Sequence, residues 1–304
     1  MPLSRRAVIA AAALAPLARR AAFAAFAAEP LIRRPIPSSG EMLPAIGIGT
    51  SRRYEVEPTA DRIAPLKEAV QTFVSLGGTV IDTAPSYGTA EDVLGAILAE
   101  TGLRQKVFLA SKVDTTGRDE TLKEFERSLK RLKVETLDLV AVHNLIDVTE
   151  NLAVLRDLKA AKRIRYVGIT VWRDNQLDAL EAVMKREALD FIQVNYAIDN
   201  RAAAERVIPL AAERGMAVMT NVPFGRDRLF KAVQGRELPP VAKDLGCTSW
   251  PQVFLKYVLG NPAVTCPIPG MAKAAYVEDN LAAARGKLPD AAQRKQMETF
   301  IDAV

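Results

Sequence analysis

Histidine and cysteine are almost missing from this sequence. Its 304 residues include one histidine, His143, and two cysteines, Cys247 and Cys266. Two cysteines are too few for a disulfide framework or a cysteine-based metal site, and one histidine excludes a histidine-rich metal centre. Acidic residues are missing from residues 1–28, which hold Arg5, Arg6, Arg19 and Arg20. Setting those four arginines aside takes the formal net charge from +5 to +1, so the rest of the chain makes no case for a nucleic-acid partner. An unbroken apolar run of the roughly 20 residues that a membrane-spanning helix needs is also missing, because Arg19 and Arg20 interrupt the alanine-rich candidate. No low-complexity linker follows, and residues 29–304 read as a single domain of a size that α/β barrels fill without splitting.

The N-terminal segment is set apart by pattern as well as charge. Ser4-Arg5-Arg6-Ala7-Val8-Ile9 precedes an alanine-rich stretch to Ala28, with Ala25-Phe26-Ala27 as a small-x-small cleavage site. Residues 1–28 resemble a twin-arginine export signal, which implies a periplasmic protein exported already folded. The alternative is a disordered or amphipathic tail on a cytoplasmic protein.

The body alternates regularly. Strands are expected at Leu43–Thr50, Thr79–Thr83, Val107–Val113, Leu137–His143, Tyr166–Val171, Phe191–Tyr196, Ala217–Val222 and Val264–Ile268. Helices are expected between them at Pro65–Leu76, Ala90–Ala99, Glu120–Leu132, Leu152–Ala161, Gln176–Lys185, Ala203–Glu213, Pro251–Leu259 and Tyr276–Ala284. A long loop precedes Pro251. Eight strand–helix units with short apolar strands imply a closed parallel (β/α)₈ TIM barrel rather than an open sheet. Ile32–Met42, with its prolines and Ser38-Ser39-Gly40, suits a hairpin closing the N-terminal mouth, and Asp290–Val304 reads as a last outer helix.

In such a barrel the chemistry sits where the strands end. The run Thr79-Val80-Ile81-Asp82-Thr83-Ala84-Pro85-Ser86-Tyr87-Gly88 ends a strand in an acid and sets a tyrosine on the turn beyond it. The next two strands end in Lys112 and His143. Singly, each has a bland reading: a capped turn, a solvated charge, a satisfied core imidazole. Together on three consecutive strands they form a set with a chemical use. A phenol with a pKa near 10 is a poor proton donor or acceptor at neutral pH. An adjacent ammonium is expected to lower that pKa, and a carboxylate keeps the ammonium charged and fixed. An imidazole beside the phenol can hold a carbonyl oxygen at the same point. No side chain donates hydride, so a nicotinamide cofactor is required.

These stretches resemble those of the aldo-keto reductase family over essentially all of residues 30–304. The matching runs are Ile81-Asp82-Thr83-Ala84-Pro85-Ser86-Tyr87-Gly88, Ala110-Ser111-Lys112, Leu137-Asp138-Leu139-Val140-Ala141-Val142-His143, Arg165-Tyr166-Val167-Gly168-Ile169-Thr170, Gln193-Val194-Asn195-Tyr196 and Pro267-Ile268-Pro269-Gly270. The resemblance implies a (β/α)₈ barrel that uses NADPH, with NADH possible, to reduce a small-molecule carbonyl. It implies a catalytic tetrad of Asp82, Tyr87, Lys112 and His143, with Tyr87 as proton donor, Lys112 and Asp82 tuning it and His143 orienting the carbonyl. It also places the cofactor against Gly49 and Thr50, Asp82, Thr170 and Gln193, with Asn221 where many members stack an aromatic ring. Val171 stands where the family usually carries an asparagine, so one carboxamide contact is expected to be lost.

The pyrophosphate is expected near Val222, Phe224, Gly225 and Arg226, where loop amides and a cation could hold it. Lys273 is the candidate for the 2′-phosphate, in the run after Gly270 and Met271, with Asp279 and Asn280 near the adenine. Tyr276 replaces a common arginine, and its ring either covers the adenine or packs on its helix. Substrate contacts are sought at Arg52, Tyr87, His143 and Trp172, with Trp172 as a pocket wall. An NADP(H)-binding redox-sensing or assembly subunit with little turnover is the alternative reading. A barrel lyase or isomerase is a third.

Overall fold

The structure, a computed structural model, describes residues 29–304. The export signal read at residues 1–28 lies outside the described residues. The described chain opens with a hairpin of β1 (Arg33–Pro35) and β2 (Met42–Pro44), paired antiparallel with Arg34 opposite Leu43. Eight parallel strands follow in one sheet whose spatial order is their sequence order. They are β3 (Ile48–Gly49), β4 (Val80–Asp82), β5 (Phe108–Val113), β6 (Leu137–His143), β7 (Ile164–Thr170), β8 (Phe191–Asn195), β9 (Ala217–Asn221) and β10 (Cys266–Pro267). The sheet closes on itself as a (β/α)₈ barrel. Gly47 N–H donates to the Pro267 carbonyl at 3.0 Å and Gly49 N–H to the Pro269 carbonyl at 2.9 Å.

That seam explains its residues. A Cβ on Gly49 would stand 2.6 Å from the Ile268 carbonyl oxygen, so the first and last strands meet this closely only with glycine there. Pro267 and Pro269 lack N–H groups, and they sit where only their carbonyls are used toward β3. The strand expected at Leu43–Thr50 is therefore two pieces. Its first part pairs within the hairpin, and the chain then turns through Ala45 and Ile46 before β3 begins.

The strands are buried on both faces, as parallel barrel strands must be; β5 and β6 are buried at every residue. Inside the barrel, Phe108, Tyr166 and Phe191 pack with centroids 5.6–5.9 Å apart. Ile36 and Leu43 from the hairpin join the same interior cluster, which plugs the N-terminal mouth. The Tyr166 hydroxyl meets the hairpin at Ser39 Oγ (2.8 Å) and Glu41 Oε2 (2.6 Å).

The outer ring comprises α1 (Ala60–Ser75), α2 (Ala90–Thr101), α3 (Arg118–Leu132), α4 (Val148–Ala160), α5 (Leu177–Arg186), α6 (Val207–Glu213), α9 (Trp250–Leu259) and α10 (Ala274–Ala282), with α11 (Ala291–Asp302) outside. The long loop before Pro251 contains two short helices, α7 (Arg228–Ala232) and α8 (Pro240–Asp244). Helix α1 starts five residues before Pro65, the residue that reads as its start in the sequence. Pro65 lies on the exposed side, where the Asp61 carbonyl that loses its ladder donor faces water. Among the described residues no helix is long and apolar enough to cross a membrane.

Helices α2 and α3 approach most closely at Gly95, where a Cβ would stand 2.1 Å from the Arg131 carbonyl oxygen. Gly95→Ala is expected to force the pair apart, at about 1–3 kcal/mol, and to lower the thermal midpoint measured by calorimetry. An unchanged midpoint would contradict the contact.

Candidate active site

Asp82 is the last residue of β4, Lys112 the penultimate residue of β5, His143 the last of β6 and Thr170 the last of β7. Parallel register delivers them to one rim: Asp82 pairs with Ala110, and His143 with Thr170. Tyr87 joins them on the turn after β4, which folds by Tyr87 N–H donating to the Ala84 carbonyl at 3.1 Å. Gly88 continues that turn at φ +47°, a conformation glycine adopts without strain.

The Lys112 side chain is almost wholly buried, and its ammonium donates to Asp82 Oδ1 (2.9 Å), Asp82 Oδ2 (2.8 Å) and the Thr83 carbonyl (2.7 Å). Gln193 Nε2 donates to Asp82 Oδ1 at 3.1 Å, and Thr170 Oγ1 donates to Gln193 Oε1 at 2.6 Å. A single hydrogen-bonded chain thus links the ends of β7, β8, β4 and β5. The Lys112 nitrogen lies 5.1 Å from the Tyr87 ring centroid. The His143 ring stands edge-on to Tyr87, centroids 6.0 Å apart at 80°.

Burial alone would pull the Lys112 pKa down, but the Asp82 and Tyr87 interactions outweigh it and leave it above the usual lysine value. The Tyr87 phenol moves the opposite way from the sequence-based expectation. Burial pushes its pKa up, and the Lys112 charge offsets that only in part. At neutral pH the phenol therefore keeps its proton.

Three groups that the sequence did not single out complete the rim. Asp114, two residues past Lys112, has Oδ2 3.0 Å from His143 Nδ1. That hydrogen bond holds its carboxyl at about 2. Glu124 of α3 accepts the Asp114 backbone N–H at 2.8 Å, and burial pushes its own carboxyl up to about 7. Arg131 at the other end of α3 braces the tyrosine turn, donating to the Pro85 carbonyl at 3.1 Å and to the Gly88 carbonyl, and pairing with Asp92 at 2.9 Å. All three act across elements, a relation no local motif encodes.

The expected cofactor residues divide. Thr50 Oγ1, Asn195 Oδ1 and Asn221 Oδ1 are buried at strand ends without a hydrogen-bond partner among the described residues. Unpaired buried polar atoms facing one rim fit a polar ligand such as a nicotinamide nucleotide. Asn221 Nδ2 donates to the Val171 carbonyl at 3.1 Å, bringing an amide beside the position where the expected contact was lost. Val222, at φ +52°, is a strained β-branched residue just past β9, and Gly225 and Arg226 continue the loop at +58° and +51°. Lys273 is exposed with its nitrogen 5.7 Å above the Tyr276 ring, and that ring is half exposed, so it is not a packing residue of α10. Asn280 is buried, and Gly270 lies against Arg53 at the seam.

The remaining expected residues have partners within the protein. Asp279 accepts from Ser249 Oγ (2.8 and 2.9 Å) and Gln252 Nε2 (2.7 Å), which ties its carboxylate to the start of α9. The Met271 side chain lies in the core, and its carbonyl accepts from the Tyr54 hydroxyl at 3.2 Å. The Phe224 ring packs on Phe230 and Phe254, 5.1 and 6.3 Å away, so only its backbone is free for a ligand. Trp172 is not a bare wall. The guanidiniums of Arg226 and Arg173 lie 4.5 and 4.7 Å from its ring. Arg52 is exposed on the loop after β3, and neighbouring Arg53 pairs with Asp227 across the mouth at 3.7 Å.

Glu124 gives a stability prediction. Its folded pKa, about 7, exceeds its ordinary 4.5, so the folded chain binds the proton more tightly and stability is lost as pH rises between those values. Glu124→Gln carries no such charge. Its thermal midpoint relative to wild type should rise between about pH 5 and about pH 7, and a constant difference would refute the burial effect.

Comparisons with known proteins agree with this geometry. A family model described as the Aldo/keto reductase family matches residues 45–300. The methylglyoxal reductase YeaE of Escherichia coli (strain K12) is 31% identical over 265 residues, 83% of this chain and 90% of the relative. The aldo-keto reductase YhdN of Bacillus subtilis (strain 168) is 31% identical over 167 residues, half of this chain and half of the relative's length. A solved aldo-keto reductase from Klebsiella pneumoniae in complex with NADPH superposes with a TM-score of 0.75 at 26% identity, covering 89% of this chain and 95% of its own. From its barrel, its rim of strand-end groups and these likenesses, the chain belongs to the aldo/keto reductase family and is an NAD(P)H-dependent oxidoreductase.

Proposed function

We propose that this protein reduces aldehyde or ketone carbonyls to alcohols with NADPH, using Tyr87 as the proton donor. The observation that carries the reading is a buried ammonium locked onto Asp82 with its nitrogen 5.1 Å from the Tyr87 ring centroid, and burial favours the protonated phenol. When bound, NADPH supplies the hydride that reaches the carbonyl carbon. Tyr87 gives its proton to the carbonyl oxygen, and the Lys112 charge stabilises the phenolate left behind. Asp82 keeps the lysine charged and in place. His143, edge-on to the phenol, holds the carbonyl oxygen over Tyr87.

Thr170, Gln193, Asn195 and Asn221 are the amide and hydroxyl groups available to the nicotinamide carboxamide, with Asn221 supplying what Val171 lacks. Gly225 and Arg226 are assigned to the pyrophosphate, and Lys273 with Tyr276 to the 2′-phosphate and adenine. NADPH is favoured because the Klebsiella relative was solved with it and because Lys273 is an exposed cation there. The YeaE relative is named for methylglyoxal, so small 2-oxoaldehydes head the substrate panel.

NADPH consumption with a panel of aldehydes and ketones tests the reading. Tyr87→Phe should lower kcat/KM by about 10²–10⁴ while the NADPH Kd measured by fluorescence changes little. Substantial activity in Tyr87→Phe would refute the role. Cofactor binding with no turnover in the wild type would favour the redox-sensing alternative.

We also propose periplasmic residence through twin-arginine export, from Arg5-Arg6 and the stretch that follows. Replacing both arginines by lysine should move the enzyme from the periplasmic to the cytoplasmic fraction. An unchanged distribution would leave export unsupported.

A further inference from the structure

His143 carries an arrangement that the proton-donor reading does not use. Its Nδ1 lies 3.0 Å from Asp114 Oδ2 and 3.5 Å from Ser86 Oγ, while Nε2 has no hydrogen-bond partner among the described residues. Only one of the two Nδ1 neighbours dictates a tautomer, because the Ser86 hydroxyl can donate or accept. A carboxylate only accepts, so the Asp114 contact needs a hydrogen on Nδ1; a serine hydroxyl donating to Nδ1 would need a lone pair there. The shorter, charge-assisted bond wins over a neutral one at the limit of hydrogen-bond distance. Asp114 stays ionised over the working pH range, since its bond to His143 holds its carboxyl at about 2.

We propose that Asp114 is a positioning residue for carbonyl reduction: it fixes the hydrogen of neutral His143 on Nδ1, so that Nε2 meets the substrate as a lone pair and donates to a carbonyl oxygen only when the ring is an imidazolium. This rests on the carbonyl-reductase reading above. The His143 proton is not consumed in the reaction, because hydride goes to carbon and the Tyr87 proton to oxygen. The imidazolium only holds the oxygen.

The charges around the ring come from every packed element. Asp114 meets it from just past the end of β5 and Tyr87 with Ser86 from the turn after β4, and the Lys112–Asp82 pair stands beside Tyr87. Glu124 backs Asp114 from α3, with Arg127 3.5 Å behind it. Beyond Tyr87 the loops bring Glu55, Arg52 and Arg226, of which Glu55 and Arg226 interact with the phenol. Burial raises the Tyr87 pKa above its usual value, so the phenol keeps its proton across the neutral range.

His143 is the only histidine in the chain, so imidazole ¹⁵N shifts of untagged, uniformly labelled protein report its tautomer without assignment. Wild type at high pH should show a protonated Nδ1 and a bare Nε2. Asp114→Ala should turn the majority to protonated Nε2, and Asp114→Glu should restore the wild-type pattern. In steady-state assays, wild-type reduction kcat/KM should show an alkaline limb that falls about tenfold per pH unit. That limb should flatten in Asp114→Ala, with the NADPH Kd within about twofold of wild type. A protonated Nε2 in neutral wild-type protein, or an Asp114→Ala spectrum and profile identical to wild type, would overturn the proposal. If Asp114→Ala does not fold, the wild-type spectrum alone decides. A wild type that turns over no carbonyl would sink the reductase reading, while the spectrum would still report on Asp114.

Discussion

The buried ion pair of Lys112 and Asp82 is the constraint on which the rest of the rim depends. An ammonium with almost no exposure loses its hydration on folding, a penalty of several kcal/mol that only good partners offset. Lys112 has three acceptor atoms within 2.9 Å, one for each of its hydrogens, so the group is fully satisfied. Removing one member of such a pair strands the other, which typically costs about 3–5 kcal/mol. The pair therefore fixes the relative positions of β4 and β5, and through Gln193 and Thr170 it also sets the ends of β8 and β7.

Tyr87 has no such anchor of its own. Its hydroxyl must stand near the lysine while its backbone lies on a loop, and loops wander unless tied. Arg131 supplies the tie by reaching from α3 to two carbonyls of the turn. The same helix carries Glu124, which grips the backbone of Asp114 and so steadies the carboxylate on His143. One helix thus braces both the phenol and the imidazole, a division of labour suited to groups that need fixed geometry rather than strong binding.

The barrel and its rim could be read from the chain because they rest on local signals. Short apolar runs punctuated by glycine and proline mark strands buried on both faces, and polar residues at their ends stand out against them. Asp82, Lys112 and His143 are visible for that reason. Asp114, Glu124 and Arg131 are not, because an acid after a strand and charges on an amphipathic helix look like ordinary solvated groups. Pro65 misled for a related reason: proline is a start signal in the first turn, but an exposed helix face tolerates it further in. The direction of the Tyr87 shift was missed because a sequence shows which charges are near and hides how little water is. Asp279 and Met271 were assigned by resemblance in the run after Gly270, which hides the partners each finds: Ser249 and Gln252 for the first, the core for the second.

The seam between β3 and β10 bears on how the chain matures. The strands that meet there are the first and the last of the barrel to leave the ribosome, and Gly49 cannot find its acceptor until Pro269 has been made. A nascent chain lacking its last segment has an open ring with two unsatisfied edges, the kind of surface that invites aggregation or chaperone capture. Completion of the ring is thus a post-synthetic event, and the rim of strand-end groups, which straddles that joint at Thr50, takes its final form only then.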